Sequence, residues 1–364
     1  MAVDARASRT PAQPPSAGDT AASAPLRREL GLAGLSEIAL GYERAQVLFT
    51  ASELKIFDVL ASGPKPAAVI AAAIGAAERP VSSLLDACVA LGLLRVSAGH
   101  YQNSRSASLF LRRSGDGSFS PVLRFWREFS YGPWGRLLEA VRENRPQTSS
   151  GPKSGDLFDA LVKDEDQVDL FFEGLAGLAY WPAQRIAEIV DFGSRRHLLD
   201  IGGGSGAFST AIATRHQHLQ VTLFDLEPVC ALARRRFAQV SADDRLSAVA
   251  GDFHNDALPR GADCALLSNV LHDWSERECE ALVGRVKEAL EPGGELVIYD
   301  FMPPADAPTL EAALFSLALL LDTNRGRVYS REQFEGWLRA CGFIDIAYRD
   351  IGAGTGILTA RTNY

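Results

Sequence analysis

A glycine-rich segment, LLDIGGGSGAFS, contains the residues whose types and spacing first suggest chemistry. It carries Gly202, Gly203 and Gly204 shortly after Asp200. Glycines at such positions let the backbone turn tightly and approach a ligand without obstruction by a Cβ atom. Asp225 follows in VTLFDLEPV, where a carboxylate can accept hydrogen bonds from both hydroxyls of a ribose. The pattern predicts a nucleoside-containing cofactor, and by itself it also fits NAD.

Asp200 favours S-adenosylmethionine (SAM) over NAD. NAD would place a pyrophosphate over the glycine loop, and a carboxylate beside the glycines would repel that charge. SAM carries no phosphate, and its ammonium and sulfonium groups suit an acidic neighbour, so we predict SAM, with S-adenosylhomocysteine as its product. Asp252 and Phe253 in VAGDF extend the predicted site, because they can bind the amino group and the ring of an adenine. The alternative interpretation is that these acids are ordinary strand-end residues.

His272, in SNVLHDWSERE, is the candidate catalytic residue on the acceptor side. We expect it at the end of a strand, just before a helix with Ser275 as its cap and Glu278 three residues later. An imidazole with an ordinary pKa of about 6.5 suits a general base near neutral pH. Asp300, in LVIYDF, is expected at the end of the next strand, where it can orient the imidazole. The alternative for Asp300 is a charge in a strand-end turn.

Short apolar strands alternate with helices from about residue 185 onward, which predicts an α/β fold with a doubly wound parallel sheet. The expected strands are His197–Ile201, Gln220–Phe224, Leu246–Ala250, Asp263–Val270, Glu295–Asp300, Phe343–Tyr348 and Gly356–Ala360. Ligands in such sheets bind outside the carboxyl ends of the strands. The glycine loop and the candidate acids and histidine all follow or end a strand, so we expect them to meet at one edge of the sheet.

Residues 29–180 show almost only helical patterns. One helical face recurs at steps of three or four residues until Gly63 and Pro64 break it: Val47, Ala51, Leu54, Phe57 and Leu60. Helices over residues 66–74 and 79–91 and a hairpin around Gly99 complete a winged-helix-like arrangement. The next stretch is rich in aromatic residues: Phe125, Trp126, Phe129, Tyr131, Trp134, Phe158, Phe171, Phe172, Tyr180 and Trp181. We expect most of them in a core or a dimer interface and some in the wall of an acceptor pocket.

Composition and charge limit the function classes. The chain has 364 residues, enough for two ordinary domains, with 47% hydrophobic and 23% charged residues and a net charge of −8. This charge, and a helix at 79–91 without Lys or Arg beyond Arg79, argue against nucleic-acid binding. The five cysteines form no CxxC pair, which favours a reducing cytoplasm. The composition of residues 1–28, with almost no large hydrophobic side chains, predicts a disordered tail. No apolar stretch of the sequence approaches the ~20 residues that a membrane-spanning helix needs.

The motifs LLDIGGGSGAF, FDLEPV, GDF, LHDWSERE and LEPGGELVIYDFMP occur in the order typical of one enzyme family. Over roughly residues 35–362 the chain resembles the SAM-dependent O-methyltransferases of the plant caffeic-acid and acetylserotonin type and their bacterial natural-product relatives. The resemblance implies a helical, winged-helix-like dimerisation and acceptor-pocket domain over residues 29–180. It also implies a Rossmann-like class I methyltransferase domain over residues 181–364, and a homodimer.

The resemblance assigns roles within the cofactor site. It implies that the turn Gly202–Gly204 binds SAM, that Asp225 binds the ribose, and that Asp252 and Phe253 bind the adenine. The full set of predicted cofactor residues is Asp200, Gly202, Gly203, Gly204, Asp225, Leu226, Asp252, Phe253 and Ser268.

On the acceptor side, the resemblance implies that His272 is the catalytic base. Asp300 stands where the family has a glutamate that supports this base. Two positions depart from the family pattern. Ser268 replaces a lysine found in plant members, and Val328 stands where a second supporting glutamate is expected.

We therefore predict metal-independent methyl transfer from SAM to a hydroxyl of a small aromatic acceptor, with His272 taking the proton. Alternatives on the same fold are C- or N-methylation, or other chemistry with SAM retained as a spectator. A SAM-sensing winged-helix regulator and an NAD oxidoreductase are alternatives from other classes. A metal site formed by Asp252, His254 and Asp256 is a weaker alternative.

Overall fold

The computed structural model describes residues 30–115, 117–148, 165–240, 242–307 and 309–363. The predicted tail over residues 1–28 and Phe158 lie outside the described residues. The chain divides into two compact units, one up to Ala45 and one from Gln46 to Tyr364.

The first unit is helical in its described part. Helix α1 (Leu32–Ala39) buries none of its side chains, and Arg44 forms an ion pair with Glu37 at 2.9 Å. Helix α2 (Gly41–Glu53) begins in this unit. The apolar side chains that α1 leaves exposed include Leu32, Leu35 and Ile38.

The second unit continues with helices and a hairpin in the predicted order. These elements are α3 (Ile56–Val59), β1 (Lys65–Pro66), α4 (Ala67–Ala73), α5 (Glu78–Ala90), β2 (Leu94–Ser97) and β3 (His100–Asn103). The predicted helix through Leu60 is wrong as one continuous helix, because Lys55 adopts a left-handed conformation with φ 58° between α2 and α3. Ala98 and Gly99 have positive φ and make the tight turn of the hairpin, and β1 pairs with β3 as a third strand.

The described part contains no single helix with the length and apolar character needed to cross a membrane. The sharply bent pair α4 and α5 meets that test only by length and composition.

The aromatic stretch forms helices around a buried cluster of rings. The elements are α6 (Arg105–Phe110), α7 (Ser120–Phe125), a π-helical turn (Trp126–Ser130), α8 (Tyr131–Trp134), α9 (Leu137–Glu143) and α10 (Glu165–Ile189). Phe125, Phe129, Phe171 and Phe172 pack with ring centroids 5.3–5.6 Å apart. Phe172 also reaches the glycine loop, since a Cβ atom on Gly204 would lie 3.9 Å from its ring.

The predicted strands are found, within a few residues, in one seven-stranded sheet. They are β4 (His197–Ile201), β5 (Gln220–Asp225), β6 (Leu246–Ala250), β7 (Ala262–Ser268), β8 (Leu290–Phe301), β9 (Ile344–Gly352) and β10 (Thr355–Arg361). Their order is β6-β5-β4-β7-β8-β10-β9. The first five pair in parallel, as predicted. The expectation of parallel strands is wrong for the last two, because β10 runs antiparallel to both β8 and β9.

Helices cover both faces of this sheet, so its central strands are buried on both sides. The helices are α11 (Ala207–Arg215), α12 (Glu227–Phe237), α13 (Glu276–Ala289), α14 (Leu310–Asp322) and α15 (Arg331–Ala340). Successive residues of one strand enter different cores: Leu198 and Leu266 lie in one, Leu199 and Leu267 in the other. This double burial fixes the strands rigidly, and the loops at their carboxyl ends carry the candidate site.

Candidate active site

The glycine loop after β4 needs glycine for two separate reasons. Gly202 and Gly204 have φ of +67° and +57°, a conformation that other residues rarely adopt. In addition, Gly202 and Gly203 have no space for a side chain. A Cβ atom on Gly202 would lie 2.8 Å from Val270 Cγ2, and one on Gly203 would lie 2.7 Å from Asp200 Oδ2. The loop therefore exposes bare backbone at the carboxyl edge of the sheet.

Asp225 is oriented by backbone groups at the end of β5. Gly204 N donates to Asp225 Oδ2 at 2.9 Å, and Leu226 N donates to Oδ1 at 2.7 Å. Burial raises the pKa of Asp225, and these two hydrogen bonds oppose the rise. The carboxylate therefore bridges the glycine loop and the next strand end, where it can accept further hydrogen bonds from a diol.

Asp200 lies beneath the loop and is fully buried. Its Oδ2 accepts a hydrogen bond from Ser209 Oγ at 2.6 Å, while Oδ1 has no partner among the described residues. Burial raises the pKa of Asp200 to about 6, although the Ser209 hydrogen bond opposes this. A buried carboxylate oxygen without a donor is costly, so a donor or positive charge arriving above the loop would stabilise it.

Asp252 and Phe253 form the next part of this edge. Asp252 Oδ1 accepts from His254 N at 2.8 Å and Oδ2 from Asn255 Nδ2 at 2.6 Å. The Phe253 ring lies edge-to-face against Trp274, with centroids 5.6 Å apart. It also abuts the glycine loop, since a Cβ atom on Gly202 would be 3.5 Å from it.

Ser268 is buried at the end of β7. Within the described part of the chain no group of three or more His, Cys, Asp or Glu side chains could hold a metal ion. The alternative metal site at Asp252, His254 and Asp256 therefore finds no support.

These features fit SAM. A side chain at Gly202 or Gly203 would clash with its neighbours, so the loop keeps its bare backbone. Asp200 offers a buried oxygen without a donor among the described residues, and Asp225 offers oriented acceptors. The adjacent ring of Phe253 offers an apolar surface to a purine.

His272 and Asp300 meet at the same edge, from the turn after β7 and the end of β8. His272 Nδ1 lies 2.7 Å from Asp300 Oδ1, which also accepts from Phe301 N at 2.8 Å. Both side chains are buried, and Asp300 Oδ2 has no partner in the described part of the chain. Burial lowers the pKa of His272, but the charges of Asp300 and Asp273 and the hydrogen bond to Asp300 outweigh it and raise the pKa to about 9.

The turn that carries His272 spans Leu271–Asp273. The predicted cap is present at the following helix. Ser275 and Glu278 form a reciprocal capping box at the start of α13. The cap fixes the exit of the chain from the turn, just beyond the imidazole.

Sequence reasoning missed Phe315 on α14. Its ring lies edge-to-face against His272, with centroids 4.8 Å apart, and stacks on Phe301 at 4.4 Å and 26°. Phe315 lies in an almost wholly apolar helix, so the pattern carries no signal that separates a site residue from a core residue.

Two family models match the chain. A model of the O-methyltransferase domain matches residues 134–344, and one of the O-methyltransferase dimerisation domain matches residues 36–113. The chain is 33% identical over 313 residues to 3-hydroxy-5-methyl-1-naphthoate 3-O-methyltransferase of Streptomyces sahachiroi, covering 86% of this chain and 89% of that protein. It is 34% identical over 340 residues to acetylserotonin O-methyltransferase of Mus musculus, covering 90% and 87%.

Among solved structures, the fold is similar to human N-acetylserotonin methyltransferase in complex with SAM. The TM-score is 0.85 at 30% identity, over 93% of this chain and 99% of that one. These matches extend over both the helical region and the sheet. They confirm the predicted cofactor and fold class, and the chain belongs to the family of SAM-dependent O-methyltransferases.

Proposed function

We propose that this O-methyltransferase methylates a phenolic hydroxyl of a small aromatic acceptor, with His272 as general base and without a metal ion. The observation that carries the proposal is the 2.7 Å contact between His272 Nδ1 and Asp300 Oδ1. It lies at the carboxyl edge of the sheet, beside the strand ends that fit SAM. Asp300 thereby acts as the positioning residue for the base.

In this proposal, Asp300 selects the useful form of the imidazole. Its charge holds the remaining proton of a neutral His272 on Nδ1, which leaves Nε2 free to accept a proton. Bound SAM supplies a methyl group on a positively charged sulfur. His272 Nε2 takes the hydroxyl proton as the acceptor oxygen bonds to the methyl carbon and the carbon–sulfur bond breaks. Such base assistance typically contributes ~10²–10⁴-fold to the rate.

We assign the cofactor contacts to the strand ends described above. Asp225 would bind the ribose hydroxyls, Asp252 and Phe253 the adenine. The remaining proposed contacts are Asp200, Gly202, Gly203, Gly204, Leu226 and Ser268. Proximity of the bound methyl group to the acceptor supplies a further part of the barrier reduction.

The side chains around His272 support an aromatic acceptor. Phe315 and Phe301 stack on each other, and Phe315 contacts the imidazole. Aromatic rings of this kind bind flat apolar ligands well. The relatives are named for acetylserotonin and for a hydroxynaphthoate, both hydroxylated aromatic compounds.

We also propose a homodimer formed through the helical region. The dimerisation-domain match over residues 36–113 supports it. So does helix α1, which exposes Leu32, Leu35 and Ile38 although exposed apolar surface of this kind is unfavourable in water. Sedimentation equilibrium should then give twice the chain mass of 39.2 kDa, and a single-chain mass would contradict the dimer.

The decisive experiment for the function is a panel of phenols, including N-acetylserotonin and a 3-hydroxy-1-naphthoate. Release of S-adenosylhomocysteine would be the readout, and mass spectrometry would locate the new methyl group. We expect O-methylated product that is unaffected by EDTA and strongly reduced in His272→Ala. Product methylated on carbon or nitrogen would favour the alternative chemistry, and loss of activity in EDTA would contradict metal independence.

A further inference from the structure

The turn that carries His272 is hydrogen-bonded through its backbone to a distant segment. Arg327 N–H donates to the His272 carbonyl oxygen at 2.8 Å, and Tyr329 O–H donates to the Trp274 carbonyl oxygen at 2.6 Å. We call residues 323–329 the strap. Because the strap bonds carbonyls at and after His272, it restrains the backbone that sets the height and tilt of the imidazole.

Gly326 brings the strap into direct contact with the turn. A Cβ atom on Gly326 would lie 2.8 Å from the His272 carbonyl oxygen and 3.3 Å from Asp273 Cα, and would also overlap Thr323 Oγ1. Thr323 Oγ1 accepts from Gly326 N at 2.8 Å and donates to the Leu319 carbonyl at 2.9 Å. The strap is therefore anchored to the end of α14, and any larger residue at position 326 must push it away from the turn.

Tyr329 is the buried anchor of the strap, with a side chain 1% exposed. Its ring packs edge-to-face on Trp337, with centroids 4.8 Å apart. The guanidinium carbon of Arg327 lies over the Tyr329 ring, 4.8 Å from its centroid. Burial raises the pKa of Tyr329 to about 12. The hydroxyl therefore stays protonated, and remains a donor to Trp274, across the working pH range.

Two ion pairs also join the strap to the first turn of α13, but they are weaker restraints. Arg327 pairs with Glu276 at 3.0 Å, and Arg325 pairs with Glu278. Both arginines are more than half exposed, and exposed pairs typically contribute only ~0–1 kcal/mol. Among the side-chain contacts that the strap makes with this region, the buried hydroxyl of Tyr329 is thus the strongest restraint. On the other side of the turn, Cys279 Sγ of α13 donates to the Leu271 carbonyl at 3.1 Å.

We propose that Tyr329 is a positioning residue for the base: through the Trp274 carbonyl it holds the turn so that His272 keeps its hydrogen bond to Asp300. The proposal rests on the proposed role of His272. The strap carries Val328 rather than a carboxylate immediately before Tyr329. It acts on the backbone of the turn, in contrast to Asp300, which acts on the imidazole itself.

The test follows the His272 imidazole by NMR in the full chain labelled at histidine, so that no acceptor is needed. His272→Ala identifies the signal among the six histidines. In the wild type, the charges of Asp300 and Asp273 hold the pKa of His272 near 9. Tyr329→Phe keeps the ring and removes only the donor. We expect the loosened turn to weaken the contact with Asp300 and to lower the pKa of His272 by about one unit.

Gly326→Ala is the second variant. It leaves Tyr329 unchanged, and its added Cβ atom would push the strap away from the His272 carbonyl by steric overlap. The matched controls are Tyr101→Phe, which removes a 2.7 Å hydrogen bond to Asp86, and Gly336→Ala, which has open space around the added Cβ. In both control variants we expect the pKa of His272 to equal that of the wild type. With any phenol that is turned over, Tyr329→Phe should lower the plateau of kcat about 10- to 100-fold, as a misplaced catalytic group does, with KM for SAM unchanged.

The outcomes separate this inference from the proposed function. If Tyr329→Phe and Gly326→Ala both titrate like the wild type and the controls, the strap does not position His272, whatever His272 does. If they shift the pKa of His272 but His272→Ala keeps full activity, the strap positions the imidazole and the role of His272 as base is wrong. A shift that also occurs in Tyr101→Phe would reflect general loosening and would overturn the role of Tyr329.

Discussion

The glycine loop and the turn that carries His272 lie at the same edge of the sheet but are held in different ways. The Asp225 carboxylate is held at the adjacent parallel strand ends by the backbone N–H groups of Gly204, in the loop, and of Leu226. His272 is held by a side chain from β8, a ring from α14 and backbone bonds to residues 323–329. In the proposed function, cofactor binding therefore depends on the sheet itself, whereas proton acceptance by His272 depends on segments that fold against the sheet.

The largest effect is expected on the cofactor side, at Asp225. Asp225→Ala removes the acceptors proposed for the ribose and the bond to Gly204 N. Losing two hydrogen bonds to a charged group, each ~1.5–3 kcal/mol, should weaken SAM binding by ~10²–10⁴-fold. Calorimetric titration with SAM measures this. Asp244→Ala is the control, since its side chain is 79% exposed. SAM affinity unchanged in Asp225→Ala would remove Asp225 from the site.

On the acceptor side, Asp300→Asn should lower the rate of methyl transfer and leave SAM binding unchanged. The amide can turn its NH₂ towards His272 Nδ1, which would favour the tautomer with the proton on Nε2 and block proton acceptance. We expect kcat to fall by ~10²–10³-fold while SAM affinity stays constant. If SAM affinity fell together with kcat, the two regions would not be separable.

The pH dependence of the methyl-transfer rate should report on His272 alone, because SAM is saturating. Since Asp300 and Asp273 raise the pKa of His272 to about 9, most of the base is protonated near neutral pH. The rate at saturating SAM should rise about tenfold per pH unit up to about pH 9 and then level off. Asp300→Asn should shift the end of this rise to lower pH. A rate that is flat from pH 7 to 9 in the wild type would contradict His272 as the titrating base.

The raised pKa of His272 also predicts how the free energy of unfolding changes with pH. The folded state binds the imidazole proton more tightly than the unfolded chain, whose histidine has an ordinary pKa of about 6.5. This contribution to stability is therefore complete below about pH 6.5 and is lost as the pH rises through about 9. Denaturant unfolding of wild type against His272→Ala should show a difference in stability that shrinks over this interval. A constant difference would show that the contact does not raise the pKa.

The smallest effect is expected from the loop backbone. Gly204→Ala meets no close neighbour except Phe172 at 3.9 Å, but it places a Cβ atom on a residue with φ +57°. The strain of about 1–2 kcal/mol should weaken SAM binding by roughly tenfold, without changing the rate at saturating SAM. Gly336→Ala, in α15, should change neither quantity. An unchanged affinity in Gly204→Ala would show that the backbone strain at this position does not oppose SAM binding.

The elements that the sequence predicts well are those governed by local patterns. The strands before Gly202 and Asp225 are short apolar runs, and Ser275 with Glu278 is a local capping pattern, so each could be placed from neighbouring residues alone. Parallel strand ends share one edge, and this rule was enough to expect Asp300 near His272.

The elements that it predicts poorly depend on contacts between distant segments. Strand β10 pairs antiparallel with β8 on one side and β9 on the other. The alternation of strands and helices along the sequence does not predict the direction of this pairing. The break at Lys55 is a single backbone angle within an otherwise helical pattern. Phe315 and Tyr329 contact the turn only after α14 and the following residues fold over it, so their composition resembles any core segment.

Single-turnover methyl transfer by His272→Ala, with SAM affinity measured on the same preparation, is the decisive test of His272 as the base. We predict that the rate falls by ~10²–10⁴-fold while the Kd for SAM stays within about twofold of wild type, because the base and the cofactor site are held separately. A rate close to that of the wild type, with SAM bound normally, would contradict His272 as the base.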